Sequence, residues 1–392
     1  PPASSFSEKV AGISDLSQGS VQMRFYYWQA AWQEFEQASW GRKLWGYGPD
    51  TLGRVFVKHY QKDWGVQESI NTYPNRAHNL FFDTLLSFGL IGVLAGLLFF
   101  GYILWRTIKY LGDNKEERGE RYWLVFTLLI TVLIHIGNNL FSFSNVATYV
   151  YFYIILAILA ILIFPINREI KINISKFSQV AILAALAVFS SIFIVFYNID
   201  LIKADSQYIE ARKIMAEQKS NPRKKCIFAI DNINSAIELD PVHNFYREEY
   251  IRVSLNCFNN FIFAKPKIKD DLVKEVEAIP EARKDYDLKL YTARVYSLRA
   301  AFDPSYYPQA EEVYQDLIEI NPYITTPYKE LANLKFQKGK NRQAITVLKE
   351  GLDKIPLLDA SYSSQEHKRE VEIERNNFTN ILEKISKVQQ KK

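Results

Sequence analysis

The chain has 392 residues, room for two or three domains, and a formal net charge of only +5 with its basic residues dispersed, which argues against nucleic-acid binding. Its two cysteines, Cys226 and Cys257, lack metal-site spacing and read either as a disulfide or as two free buried thiols. Aromatics are plentiful (24 Tyr, 26 Phe, 7 Trp), as expected where side chains line membrane–water interfaces.

The sequence opens Pro-Pro, without an initiator Met or a signal-like segment, and is expected to be the C-terminal part of a longer protein. Residues 1–78 read as a loop outside the membrane rather than a free domain. Within it, Val21, Phe25, Trp28, Trp32 and Phe35 recur at helical spacing, predicting a helix over Ser20–Phe35. Gly46-Tyr47-Gly48-Pro49 predicts a tight turn. Arg24, Arg42, Arg54, Lys58, His59, Arg76 and His78 are nearly balanced by acids, and no Asp-x-Asp cluster occurs in this segment.

Four apolar stretches follow, each long enough to cross a bilayer, which takes about 20 residues. They run from about Leu80 to Trp105, Tyr122 to Leu140, Val146 to Phe164 and Gln179 to Tyr197. Arg106, Lys109, Lys115, Arg118 and Arg121 lie between the first two, and Arg168, Lys171 and Lys176 between the last two. The connection FSFSN between the second and third carries no Lys or Arg. Basic loops stay cytoplasmic, so residues 1–78 and 200–392 are both expected outside. Inside the first run, Gly92 and Gly96 form G-x-x-x-G, the spacing of close helix contact. His135, Asn138 and Asn139, near the outer end of the second, are read as interhelical hydrogen-bonding groups or as part of a cavity wall.

Beyond Asn198 the chain turns polar, helical and repetitive. Pro322 and Pro356 lie 34 residues apart; Ala310 and Ala344, Tyr314 and Leu348, and Ile318 and Leu352 stand at matching offsets before them. Ala229, Ile233, Ile237 and Pro241 show the same spacing. This resembles tetratricopeptide repeats. Three units are visible, the stretch between Pro241 and Ala310 has room for one irregular unit, and a capping helix is expected around Lys368–Ile385. The repeats read as a scaffold or as a concave surface for a protein partner.

His78-Asn79, nine residues and then Gly89-x-x-Gly92, at the mouth of the first apolar run, resembles the signature of the O-antigen ligase and polymerase family of membrane glycosyltransferases. The resemblance extends over roughly residues 20–164. It includes Arg24 with Trp28 four residues on, where the family carries Leu, and the Gly46-Tyr47-Gly48 turn leading to Phe56. Ser87 stands where family members often carry an acid, and the family's earlier helices, with a further functional arginine, are absent from this sequence.

The resemblance implies a GT-C-like membrane bundle, a multi-pass protein of the bacterial plasma (inner) membrane, and an inverting, metal-independent transfer without cofactor. The donor would be a glycan on undecaprenyl (polyprenyl) diphosphate and the acceptor a hydroxyl of a glycan, lipid or protein. Charge grows on the departing diphosphate, and the planar guanidinium suits it. Arg24 is the first candidate for that role, with Arg42, Arg54 and Arg76 in reserve. A neutral imidazole can take the acceptor proton near neutral pH, which makes His78 the candidate base, or at least the group that orients the acceptor. By residue type alone His78 reads as a polar anchor at a helix N-terminus; the motif spacing makes it a catalytic candidate. Asn79 and Asp83 complete the candidate substrate-binding set, although Asp83 also reads as an acid reaching the interface.

The expected architecture is therefore all-α. It comprises the loop 1–78, three membrane helices in 79–164, a basic cytoplasmic loop and fourth membrane helix in 165–199, and a repeat solenoid in 200–392. Polysaccharide ligation, polymerisation and protein O-glycosylation share the His motif. The alternative of another class is a non-catalytic membrane-anchored repeat scaffold contacting membrane lipids and an envelope partner.

Overall fold

A computed structural model describes residues 19–49, 51–116, 118–142, 145–164, 175–217, 221–258, 266–281, 284–358, 360, 362 and 364–390; Arg168 and Lys171 of the basic loop lie outside the described residues. The chain divides into two compact units. All regular structure among the described residues is helical.

The first unit comprises Pro1–Glu169, Ile320–Lys329 and Asn341–Lys392. It starts with α1 (Gly19–Gln37), longer at both ends than the predicted helix. The aromatic stripe that signals this helix is not its buried face. Met23, Tyr27, Ala30, Ala31 and Glu34 are buried, whereas Phe25 and Trp32 are nearly half exposed. Then come α2 (Trp40–Trp45), α3 (Leu52–Phe56) with a 3-10 turn at Val57–His59, and α4 (Trp64–Gln67).

Three apolar helices follow in this unit: α5 (Leu80–Asp113), α6 (Glu120–Asn139) and α7 (Val146–Ile163). α5 and α6 are long and apolar enough to cross a membrane; α7, at 18 residues, is apolar along its length but shorter. Phe152, Leu156 and Leu159 of α7 pack with Ile103 of α5 and Val125 and Val132 of α6. At the basic end, Arg121 donates to the Leu162 carbonyl (2.6 Å), joining the start of α6 to the end of α7.

The first apolar run is not one regular helix: Gly89, with φ of 66° and ψ of −167°, interrupts α5. Such a break frees carbonyls one turn earlier, and buried carbonyls need donors. The Gly46-Tyr47-Gly48 turn supplies them: Tyr47 N donates to Leu86 O (2.7 Å) and Gly48 N to Ser87 O (3.0 Å). The approach is too close for a side chain. A Cβ on Gly89 would stand 2.2 Å from Leu44 O, and one on Gly46 2.5 Å from the Ser87 carbonyl carbon. The motif glycine and the glycine turn thus form one joint. The G-x-x-x-G expectation is corrected: Gly92 abuts Phe88 of its own helix, and Gly96 meets open space.

The end of the repeat region completes the first unit, with α15 (Asn341–Lys354) and α16 (Gln365–Gln390). Gly351 lies where a Cβ would press on Tyr328 and Phe378, so the small-residue position of the repeat is a packing requirement. α16 is the expected capping helix, extended at both ends.

This part docks on the N-terminal loop. Asn321, 1% exposed, donates from Nδ2 to the carbonyls of Val57 (2.9 Å) and Tyr60 (2.8 Å), while its Oδ1 accepts from Tyr323 N. Asn71, held at φ 62°, accepts from Thr325 N (2.8 Å), and Thr325 Oγ1 donates to Glu374 (2.6 Å). Lys329 pairs with the same carboxylate.

The second unit comprises Ile170–Glu319 and Glu330–Lys340. Its first helix, α8 (Lys176–Ala216), runs without a break past the expected boundary at 199/200. The segment from Val180 is long and apolar enough to span a membrane, and its later part carries Ala204 and Ala211 into the repeat core. It is thus also the first helix of the first repeat hairpin, paired with α9 (Pro222–Leu239), a role hidden by its apolar start. The stretch after Pro241 holds the irregular hairpin, α10 (Asn244–Phe258) and α11 (Pro266–Ala278). α12 (Tyr286–Ala300) and α13 (Tyr307–Ile320) form the next; α14 (Thr326–Gln337) precedes α15 in the last. Small residues and prolines fall where the 34-residue period places them. Cys226 of α9 and Cys257 of α10 form a disulfide, resolving the two readings of the cysteines.

Candidate active site

His78 occupies the corner between the loop and α5. Its φ of 55° is left-handed, a region uncommon for any residue with a Cβ, and strain of this kind collects at functional sites. Its neighbours hold it there. On one side, Ala77 is fully buried; its N donates to Asp83 Oδ1 (2.6 Å) and its O accepts from Trp28 Nε1 (3.0 Å). On the other, Asn79 caps α5, its Oδ1 accepting from Phe81 N (2.9 Å) and Phe82 N (3.2 Å). Asn79 Nδ2 donates to Leu140 O (2.8 Å), tying the start of α5 to the end of α6.

Asn79 and Asp83, read from sequence as substrate-binding, are therefore both committed to backbone groups around His78. Trp28 stacks on Phe82, packs against Phe141 and donates from its indole nitrogen to the Ala77 carbonyl.

α1 brings Arg24 and Tyr27, three residues apart and on one face, to the imidazole. The Tyr27 and His78 rings stack with centroids 6.0 Å apart. The Tyr27 hydroxyl donates to Glu68, just past α4, and edges onto Trp64. Burial first, then the positive charges of Arg24 and Arg76, hold the His78 imidazole below its ordinary value, while Glu68 pulls the other way. Near neutral pH His78 is thus uncharged and able to accept a proton.

Arg24 and Arg76 are half-buried. Among the described residues no hydrogen bond or ion pair engages Arg24. Arg76 lines a cleft of about 140 Å³ with mixed walls, its polar side formed with Asn75, Asp83, Ser87, Asn139 and Tyr149. This cleft shares Leu80, Thr84, Phe88, Asn139 and Tyr149 with a larger, mainly apolar cleft of about 770 Å³ between α5, α6 and α7.

The remaining candidates fall elsewhere. Arg42 donates to Gly46 O (3.3 Å) and lies over the Tyr47 ring. Arg54 sits on α3, whose Leu52, Val55 and Phe56 are buried. His135 stacks on Phe152 across the α6–α7 contact, and Asn139 donates to the His135 carbonyl within its own helix; both line the larger cleft.

Tyr27 and Glu68 are the site residues that sequence reasoning missed. Tyr27 was reachable, because it shares a helix face with Arg24; nothing local points to Glu68. A second buried cluster joins Glu34, Tyr47 and His59. Glu34 accepts from the Tyr47 hydroxyl (2.6 Å) and pairs with His59 Nε2 (2.8 Å). Burial alone would raise the Glu34 carboxyl, but hydrogen bonds from His59 and Tyr47 and the nearby Lys58 hold it below the usual range. This cluster fastens α1 to the glycine turn.

Residues 3–97 match a family model described as O-antigen ligase; the match ends inside α5 and contains every candidate named before the membrane, from Arg24 to Asp83. No curated protein matches the chain. Among solved structures, the crystal structure of yeast Tom70 is similar at 14% identity, covering 96% of this chain and 76% of that one, with a TM-score of 0.29.

Proposed function

We propose that this protein transfers a glycan from a polyprenyl diphosphate to an acceptor hydroxyl at the outer face of a bacterial plasma membrane. The observation that carries this reading is the half-buried His78 held at left-handed φ at the start of α5, stacked on Tyr27, with the charges of Arg24 and Arg76 among the causes that keep its imidazole neutral. The O-antigen ligase match over these residues supports the same class of chemistry.

The joined clefts fit an amphipathic donor. The diphosphate takes the polar end beside Arg76 and the prenyl chain the apolar end. His78 accepts the proton of the acceptor hydroxyl as its oxygen attacks the anomeric carbon. The bond from that carbon to the diphosphate oxygen breaks on the opposite face, so the centre inverts. The electron pair leaves with the polyprenyl diphosphate, whose added charge Arg24 and Arg76 stabilise. Tyr27, Asn79 and Asp83 act as positioning residues around His78. Arg42 and Arg54 are left for the glycan or the acceptor.

Two observations support placing both the loop and the repeats outside. The loop touches residues 321–325, so the chain between Asn79 and Asn321 crosses the membrane an even number of times. Four spans satisfy this, which requires the shorter α7 to cross. The Cys226–Cys257 disulfide fits an oxidising compartment. The repeats are proposed to hold a protein partner or acceptor.

The test is glycan transfer in membranes with His78→Ala and Arg24→Ala at equal expression. Both variants should accumulate lipid-linked donor and lose product. Wild-type transfer in both, with loss of phenotype only on deleting residues 200–392, would replace the enzyme by a scaffold.

A further inference from the structure

A patch outside the candidate site remains unexplained: Trp40 is 77% exposed and Trp45 70%, at the two ends of the six-residue helix α2. Leu44 between them is also exposed. Lys43 lies over the rings of Trp40 and, on α1, Phe35, so the patch carries a cation among its aromatics.

The depth of α2 is set by its joint with α5. The Leu44 carbonyl approaches Gly89 closely, and the residues just after α2 bond to Leu86 and Ser87. From Gly89 onward α5 runs through Leu90–Trp105 without a charged side chain, ending at Arg106. Those 17 positions rise roughly 26 Å along a helix, close to the ~30 Å hydrocarbon thickness. Gly89 therefore stands at one edge of the hydrocarbon, and α2 stands beside it at the same level. Phe88, Leu90 and Ile91 of α5 are exposed next to this joint, so the patch continues the lipid-facing surface of the membrane helix.

We infer that α2 is a membrane-interface anchor: Trp40, Leu44 and Trp45 seat in the outer leaflet at the headgroup–acyl boundary, with Lys43 among the lipid phosphates. Indole rings favour that level, and a long cationic side chain reaches phosphates from an apolar seat. The occupant is phospholipid. The inference requires that α5 spans a bilayer, takes the outer leaflet from the orientation proposed above, and does not depend on glycan transfer.

The test uses the full chain in vesicles of phosphatidylethanolamine and phosphatidylglycerol. Trp45→Cys and, separately, Trp40→Cys carry a nitroxide; the native cysteines are already paired. Lys349→Cys, on exposed α15, is the aqueous control. Relaxation by a water-soluble nickel chelate should be several-fold weaker at positions 40 and 45 than at 349, and relaxation by oxygen stronger. Nickel accessibility equal to the control at both positions overturns the assignment. Protection that appears only as the protein-to-lipid ratio rises means that a second copy covers the patch, and also overturns it.

Discussion

Replacing Asn321 by Leu tests whether the last repeat holds the loop that carries the site. The change keeps size while removing three donated hydrogen bonds, the one to the Lys58 carbonyl long at 3.4 Å, and one accepted one. The Val57 carbonyl retains only a long bond from Tyr60 N (3.4 Å), the Tyr60 carbonyl loses its 2.8 Å donor, and Tyr323 N loses its acceptor. A buried polar group left unsatisfied costs about 1–3 kcal/mol, and partial hydration reduces the sum. A net loss of about 3 kcal/mol corresponds to a roughly hundredfold shift in the opening equilibrium of the contact. Hydrogen exchange on the protein in nanodiscs reads this directly. Peptides spanning 57–72 should exchange roughly a hundredfold faster, given that each factor of ten is about 1.4 kcal/mol. Peptides from α6 and α7 should not change. Asn321→Asp, which keeps the acceptor for Tyr323 and loses the donors, should give most of the same effect. Unchanged exchange over 57–72 in Asn321→Leu would refute the idea that this contact secures the loop.

Transfer should decline as pH falls below 6.5, because the folded His78 value is depressed and its neutral form is lost only below the ordinary one. Any stability tied to neutral His78 is present above the unfolded value and disappears over the same range. Glu68→Gln removes the carboxylate that favours the imidazolium, so the acid limb of the pH–rate profile should move lower still; an upward move contradicts the electrostatic argument. Gly89→Ala forces a Cβ into a backbone carbonyl at positive φ and should cost more than the ~1–2 kcal/mol of left-handed strain alone. Gly96→Ala, with open space around it, should be neutral or gain up to about 1 kcal/mol; thermal unfolding in detergent compares them, and equal melting points would remove the joint. Reducing Cys226–Cys257, which closes a loop with a sequence separation of 31, should destabilise the repeats by about 3–4 kcal/mol on the chain-entropy model. Urea melts with and without reductant measure it, and superimposable curves would assign the bond no stabilising role.

Much of the architecture is written locally. Apolar runs of bilayer length mark the membrane helices, and the 34-residue spacing of small residues and prolines marks the repeat hairpins, because both patterns depend on neighbours along one helix. The His78-Asn79…Gly89 spacing marks a local structure for the same reason: the cap, the corner and the kink lie within a dozen residues. The aromatic spacing found α1 but not its buried face, which Met23, Tyr27, Ala30, Ala31 and Glu34 form while Phe25 and Trp32 stay nearly half exposed. It also placed a boundary at 199/200 where polarity changes but the helix does not.

What the tertiary structure decided are pairings between distant segments. The Gly46–Gly48 turn satisfies the carbonyls freed at Gly89, Glu68 receives the Tyr27 hydroxyl, and Asn79 reaches Leu140. Asn321 bonds to carbonyls more than 260 residues earlier in the chain. No periodicity encodes such contacts. Each depends on a backbone donor or acceptor left unmatched locally and on the fold bringing its partner within 3 Å or so. Hence the sequence by itself determined the all-α class, the long apolar helices, the repeats and the motif. Only the folded chain decided that the Tyr27 ring stacks on His78 and that the Tyr27 hydroxyl meets Glu68.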